Sequence, residues 1–219
     1  MDKTIIDILI NCKIFDGADK EDILKVIRCL NTSTKKYSKG EIIFNEGDKA
    51  GLIGIVLSGN VQIEKDDFYG NRNLIAVLST NDIFAEAYAC AEVESLPVSA
   101  IAATDAEILF LDYRKITQSE RSCNYHHLIM GNLMKIVSNK NIMLNEKAQI
   151  TSKRTTREKI MAYLSAYAKK SGSSEFHIPL NRQELADYLC VERSAMSAEL
   201  GRLKADGKLQ TKKNYFKLM

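Results

Sequence analysis

The sequence predicts an α+β chain in three parts: an N-terminal double-stranded, jelly-roll-like β-roll, a long helix, and a C-terminal winged helix-turn-helix. Three observations lead there. Short apolar runs broken by Gly or Asn-Asp recur from Tyr37 to Tyr113, the texture of a sandwich, barrel or roll. An apolar helical repeat covers residues 124–150. Two short amphipathic segments joined by a tight turn occupy residues 181–204. The expected divisions are 1–123, 124–150 and 151–219.

Each element has its own signal. Ile5, Ile6, Ile8 and Leu9, then Ile23, Leu24, Val26, Ile27 and Leu30, carry helical spacing. Asp16-Gly17 interrupts them, and Asp19 to Asp22 reads as a helix start. Strands are expected at Ile42–Phe44, Leu52–Leu57, Val61–Glu64, Leu74–Leu78, Val98–Ala102 and Ile108–Leu111. In the long helix, Met130, Met134, Val137, Asn141, Leu144 and Ala148 follow spacings of 4, 3, 4, 3 and 4. That is an a/d seam with one polar position, suited to a homodimer in which Asn141 fixes register. A second stripe, Leu128, Leu133, Ile136, Ile142 and Met143, is expected to pack on the chain's own roll. Thr151 to Arg157 is a polar hinge, followed by a helix over Thr156–Lys169.

Composition bounds the function. With 45% hydrophobic and 27% charged residues, the chain can bury a core. No apolar run approaches the ~20 residues a membrane span needs. The start, Met1-Asp2-Lys3-Thr4, lacks a signal-peptide pattern, so a cytoplasmic protein with no membrane partner is expected. Five scattered cysteines without a C-x-x-C pair oppose a disulfide framework or a structural metal. The carboxylates and the three histidines form no catalytic constellation, so an enzyme is not expected. No cofactor is assigned. Charge is uneven: residues 151–219 hold 14 Lys/Arg and 7 Asp/Glu (+7), residues 1–150 hold 17 and 21 (−4). A basic C-terminal third is the footprint of a polyanion-binding module.

Residues 181–204 sharpen this. Asn181 and Glu184 form an N-terminal capping box. Leu185, Ala186 and Leu189 give the first helix an inner face, and Met196, Leu200 and Leu203 do the same for the second. The second helix of such a unit enters the major groove of DNA. Its exposed first turn would carry Arg193, Ser194 and Ser197. Arg193 is the candidate base reader, since its fork can donate two bonds to guanine. Arg182 and Lys204 are placed for phosphate, as are Lys212 and Lys213 at the centre of a hairpin over Leu209–Leu218.

Residues 39–63 (KGEIIFNEGDKAGLIGIVLSGNVQI), 81–90 (NDIFAEAYAC) and 182–200 (RQELADYLCVERSAMSAEL) together resemble the Crp/Fnr superfamily of bacterial transcription regulators. The resemblance runs from about residue 12 to the C-terminus. It implies a sensory β-roll, a homodimer, a roughly palindromic double-stranded operator with half-sites ~34–36 Å apart, and contact with RNA polymerase. It also implies an effector pocket built from Phe84, Glu86, Tyr88, Cys90, Leu96 and Pro97, closed by Leu144 and Asn145 from the helix.

Departures from the family pattern narrow the effector. An Arg-Ser pair clamps the cyclic phosphate in the cyclic-AMP receptor protein; Leu96 and Pro97 stand there here, and neither can hold a phosphate. Leu144 and Asn145 fall where a pair of hydroxyl residues is expected. A cyclic nucleotide is therefore not expected, and the effector is unknown. A [4Fe–4S] cluster needs four cysteine ligands, and only Cys12 lies near the N-terminus, with Cys29 well away. Haem is disfavoured because His126, His127 and His177 lie outside the roll. The alternative is a redox- or metal-responsive regulator of the same fold using Cys90 or Cys123. In the DNA-reading helix, Ser194 and Ala198 replace two familiar base readers, so the operator should differ from those of well-known members. Cys190 stands where glycine often makes the turn, a cost if its φ is positive.

Overall fold

The computed structural model describes residues 3–30, 32–66, 72–118 and 126–219. The chain forms two compact units, residues 1–138 and 139–219. The division therefore falls inside the long helix, not at its ends.

The first unit opens with α1 (Lys3–Leu9), a single 3-10 turn (Lys13–Phe15) and α2 (Lys20–Cys29). The Asp19 carboxylate caps α2 by accepting the Asp22 N–H at 2.9 Å. Among the described residues, eight strands then make two four-stranded antiparallel sheets, the expected double-stranded roll. One has the order β1 (Ser33–Tyr37), β8 (Ala106–Asp112), β3 (Leu52–Ser58), β6 (Ile83–Phe84). The other has the order β2 (Ile42–Phe44), β7 (Ser99–Ala102), β4 (Val61–Asp66), β5 (Arg72–Leu78). Sequence patterns alone do not reveal β1, because four of its five residues are polar or charged and exposed and only Tyr37 is buried. It exists through its ladder to β8, from Ser33 opposite Phe110 to Tyr37 opposite Ala106.

Strands β3 and β8 are covered on both faces, which is why they read as unbroken apolar runs and not as alternation. On one face Ile53, Ile55, Leu57, Leu109 and Leu111 join a core with Leu9, Phe15 and Ile23 of the N-terminal elements. On the other face Val56, Ile108 and Phe110 join Tyr37, Phe44, Phe84 and Leu96 between the sheets. Gly54 makes this packing possible, since a Cβ there would lie 2.3 Å from the Phe84 ring.

Two short helices, α3 (Glu86–Cys90) and α4 (Tyr113–Gln118), precede the long helix α5 (His126–Thr151). Ile129, Leu133 and Ile136 of α5 are buried in the same core as the N-terminal helices. Asn132 is buried among them and donates to the carbonyls of Ile14 (3.1 Å) and Asp16 (2.8 Å). The second stripe departs from expectation. Ile142 and Met143 fall in the second unit and are 55% and 67% exposed. Along the a/d seam, Met130 and Val137 are half-buried, whereas Met134, Asn141, Leu144 and Ala148 are exposed. Cys123 lies outside the described residues.

In the second unit, Ile150 near the end of α5 joins a separate core. That core gathers α6 (Thr156–Ser171), β9 (Glu175–His177), α7 (Arg182–Leu189), α8 (Arg193–Ala205), β10 (Leu209–Lys212) and β11 (Tyr215–Leu218). The strands form a sheet ordered β10-β11-β9. Thr155 and Glu158 build a capping box on α6, and Asn181 and Glu184 build the expected one on α7. Among the described residues, no helix is long and apolar enough to cross a membrane.

Candidate nucleic-acid interface

Helices α7 and α8 cross on their apolar faces. Leu185, Ala186 and Leu189 are buried with Met196, Leu200 and Leu203, and Ala186 is wholly inaccessible. The turn between them depends on Cys190, whose backbone is left-handed at φ 53, ψ 56. The chain turns there, and the N–H of Val191 returns to the carbonyl of Ala186 at 3.0 Å. The Lys159 ammonium on α6 reaches the same helix end. It donates to the carbonyls of Leu189 (3.2 Å) and Cys190 (3.4 Å), satisfying acceptors that the helix leaves open and placing a cation at its negative pole. No local signal marks Lys159, since its partners lie about thirty residues on.

With Met196 turned inward, Arg193, Ser194 and Ser197 are exposed together on the first turns of α8. Ala198 is exposed beside them. Lys204 is exposed at the other end of α8, about 16 Å along the axis from Arg193 at 1.5 Å per residue. The wing is a hairpin closed by Lys212 opposite Tyr215. Lys212 and Lys213 are exposed at its tip, and Lys213 takes the positive φ (53°) that tight hairpin turns demand. Lys204 and Lys212, with Thr211, Tyr215 and Met219, line a cleft of about 370 Å³.

Arg182, expected to contact phosphate, also makes contacts within its own unit. Its guanidinium is half-buried over the Phe216 ring, 4.9 Å from the centroid, and donates to Thr211 Oγ1 at 2.7 Å. Its Nη1 is buried without a hydrogen-bond acceptor, and desolvation lowers its pKa. The side chain ties the start of α7 to the wing. A second arginine does similar work. Arg157 on α6 bonds Glu199 of α8 at 3.4 Å and Asp206 just beyond it, and the Asp206 bond raises the guanidinium's pKa.

Residues 34–119 match the model of the cyclic nucleotide-binding domain, and residues 158–218 match that of the Crp-like helix-turn-helix domain. The chain belongs to the Crp/Fnr family of transcription regulators. It is similar to the transcriptional activator protein FnrL of Cereibacter sphaeroides, 23% identical over 182 residues, covering 79% of this chain and 71% of that protein. Among solved structures it resembles the Thermus thermophilus catabolite activator protein (21% identity, TM-score 0.52, 94% of this chain and 93% of that one). It also resembles the c-di-GMP responsive global regulator CLP of Xanthomonas campestris (19% identity, TM-score 0.58, 91% and 99%). Likeness at these identities concerns the fold.

In this Crp/Fnr chain the segment expected to face an effector is β6 followed by α3. Ala85 between them is left-handed (φ 62). Phe84 and Leu96 are buried, and both belong to the apolar cluster between the sheets. The Phe44 ring meets Phe84 at 5.7 Å and Phe110 at 5.6 Å, edge to face. Glu86 is a buried carboxylate (3% exposed) at the start of α3. Tyr88, Cys90 and Pro97 are half-buried. Burial, and then the Glu86 carboxylate, push the Cys90 thiol up, which opposes thiolate chemistry there. Leu144 and Asn145 belong to the second unit and are exposed on α5, and the Asn145 amide donates to the Asn141 side chain at 3.0 Å. Among the described residues, no three His, Cys, Asp or Glu side chains are grouped to hold a metal ion.

Proposed function

We propose that this Crp/Fnr regulator binds a roughly palindromic operator as a homodimer, reading bases with the first turns of α8 and gripping phosphates with the wing. The observation that carries this is the joint exposure of Arg193, Ser194 and Ser197 on the first turns of α8, where Met196 is buried. Arg193 is the base reader, Ser194 and Ser197 bond bases or phosphates, and Lys204, Lys212 and Lys213 bond phosphates. Arg182 acts by holding the wing against α7. The half-exposed seam of α5, with Met134 70% and Leu144 66% exposed, supports pairing through residues about 126–150.

The β-roll holds a non-cyclic-nucleotide effector or none. Leu96 sits inside the apolar cluster where an anion would need a cation, and the buried Glu86 would repel a phosphate. Contact with RNA polymerase follows from the family's mode of action. The test begins by selecting an operator from random duplexes. Arg193→Ala should then relax selectivity at one symmetric base pair per half-site, by ~1–3 kcal/mol. Lys212→Ala and Lys213→Ala should weaken all sequences alike and flatten the salt dependence. An Arg193→Ala protein that binds the selected operator unchanged would overturn the placement of α8.

A further inference from the structure

Cys29 is the last residue of α2 and is exposed; His126 is the first residue of α5 and is half-buried. Nearly a hundred residues apart, they meet: Cys29 Sγ lies 3.7 Å from His126 Nε2. The other ring nitrogen, Nδ1, lies 3.0 Å from the carbonyl oxygen of Ile116 in α4. A carbonyl only accepts, so Nδ1 carries a hydrogen and donates it, and Nε2 presents its lone pair to the thiol. A nucleophile, a base within reach of its proton, and a third group orienting that base is the arrangement that activates weak nucleophiles.

The other described cysteines differ. Cys12 is wholly buried, and burial foremost pushes its thiol up to about 11. The Cys90 thiol is pushed up as well. Both are held as thiols, the unreactive form. Cys190 is exposed at the turn before α8 and serves as a reference for ordinary reactivity.

We propose that Cys29 is a modification site, an imidazole-activated thiol that a hydroperoxide oxidises to the sulfenic acid. Nε2 of His126 takes the thiol proton. Sγ then attacks one peroxide oxygen, so that an S–O bond forms as the O–O bond breaks. The sulfur gives up two electrons and the peroxide is reduced. The departing hydroxide, or alkoxide from an organic hydroperoxide, takes the proton back from Nε2 and leaves as water or as the alcohol. The new oxygen sits on the contact that joins the end of α2 to the first residue of α5, the helix that bears the seam.

The experiment uses the full, reduced chain without DNA, so its failure would leave the operator assignments untouched. Hydrogen peroxide is added, sulfenic acid is trapped with dimedone, and each cysteine is followed by mass spectrometry. Cys29 should be labelled at least fivefold faster than Cys190 in the same molecules. His126→Gln retains a hydrogen-bonding side chain but removes the base; it should bring Cys29 down to the rate of Cys190 and leave Cys190 unchanged. Cys29 reacting no faster than Cys190, or a His126→Gln protein with undiminished Cys29 labelling, overturns the proposal. Should the variant fail to fold, the comparison of Cys29 with Cys190 in the unaltered chain decides.

Discussion

Cys190 shows how one residue's backbone can work against its side chain. A left-handed conformation costs a residue with a Cβ about 1–2 kcal/mol relative to the right-handed one. Glycine removes that cost but adds freedom to the unfolded chain, returning about 0.4–1 kcal/mol. Cys190→Gly should therefore stabilise the protein by about 0.5–1 kcal/mol, read as a higher urea midpoint at unchanged slope. A lower midpoint would mean that the cysteine side chain makes a contact worth more than the strain. Asn132 is the converse case, a buried polar group with a purpose. Its amide donates to two carbonyls, the buried one of Ile14 and that of Asp16, so the Asn132 side chain is itself satisfied.

Among the elements, α5 is shared between the two compact units and carries apolar side chains that neither unit covers. Ile142, Met143 and Leu144 are each more than half exposed. Pairing with a second copy would remove that surface from water, and Leu144 lies in the seam. Leu144→Asp places two like charges in that seam, and sedimentation at micromolar concentration should then report the 24.6 kDa chain alone. The unaltered protein should report about twice that mass, and a monomer there would end the dimer reading. The β9–β11 ladder of the second unit has an acid-sensitive tie. Hydrogen bonds from Lys217 and then Tyr215 lower the pKa of Glu175. A carboxyl depressed on folding contributes stability above its unfolded value, ~4.3. That stability is lost as pH falls through the lower folded value. Glu175→Gln should thus flatten the acid limb of a stability–pH profile. The pair is exposed, so high salt should shrink the difference.

For the whole molecule, the proposal that the effector is not a cyclic nucleotide turns on the interior of the matched domain. The space between the two sheets holds Phe44, Phe84, Phe110 and Leu96 in mutual packing, with Glu86 buried at the start of α3. Titration calorimetry with cyclic AMP and cyclic GMP should therefore show no binding at micromolar concentrations. A micromolar Kd for either would require a cation to reach the roll from elsewhere and would reverse the effector assignment. An effector of any kind shifts the balance between DNA-competent and incompetent arrangements only by its difference in affinity for them.

Much of this was legible along the chain because it rests on local rules. The capping box of Asn181 and Glu184 needs residues three apart, and the buried faces of α7 and α8 follow helical spacing. The wing tip needs only a short polar break between two strands, and the roll announces itself by evenly spaced turns. Local patterns could not decide what depends on elements meeting. The ladder that makes β1 a strand pairs Ser33 with Phe110. The inward turn of Arg182 needs Phe216 and Thr211. Lys159 needs the end of α7, Asn132 needs carbonyls more than a hundred residues away, and Cys29 needs His126. The exposure of Ile142 and Met143 follows the same logic. Periodicity marks an apolar stripe, but which surface covers it is set by where the neighbouring elements pack. A side chain's neighbours along the sequence follow from its spacing; its neighbours in space follow from the packing of the whole unit.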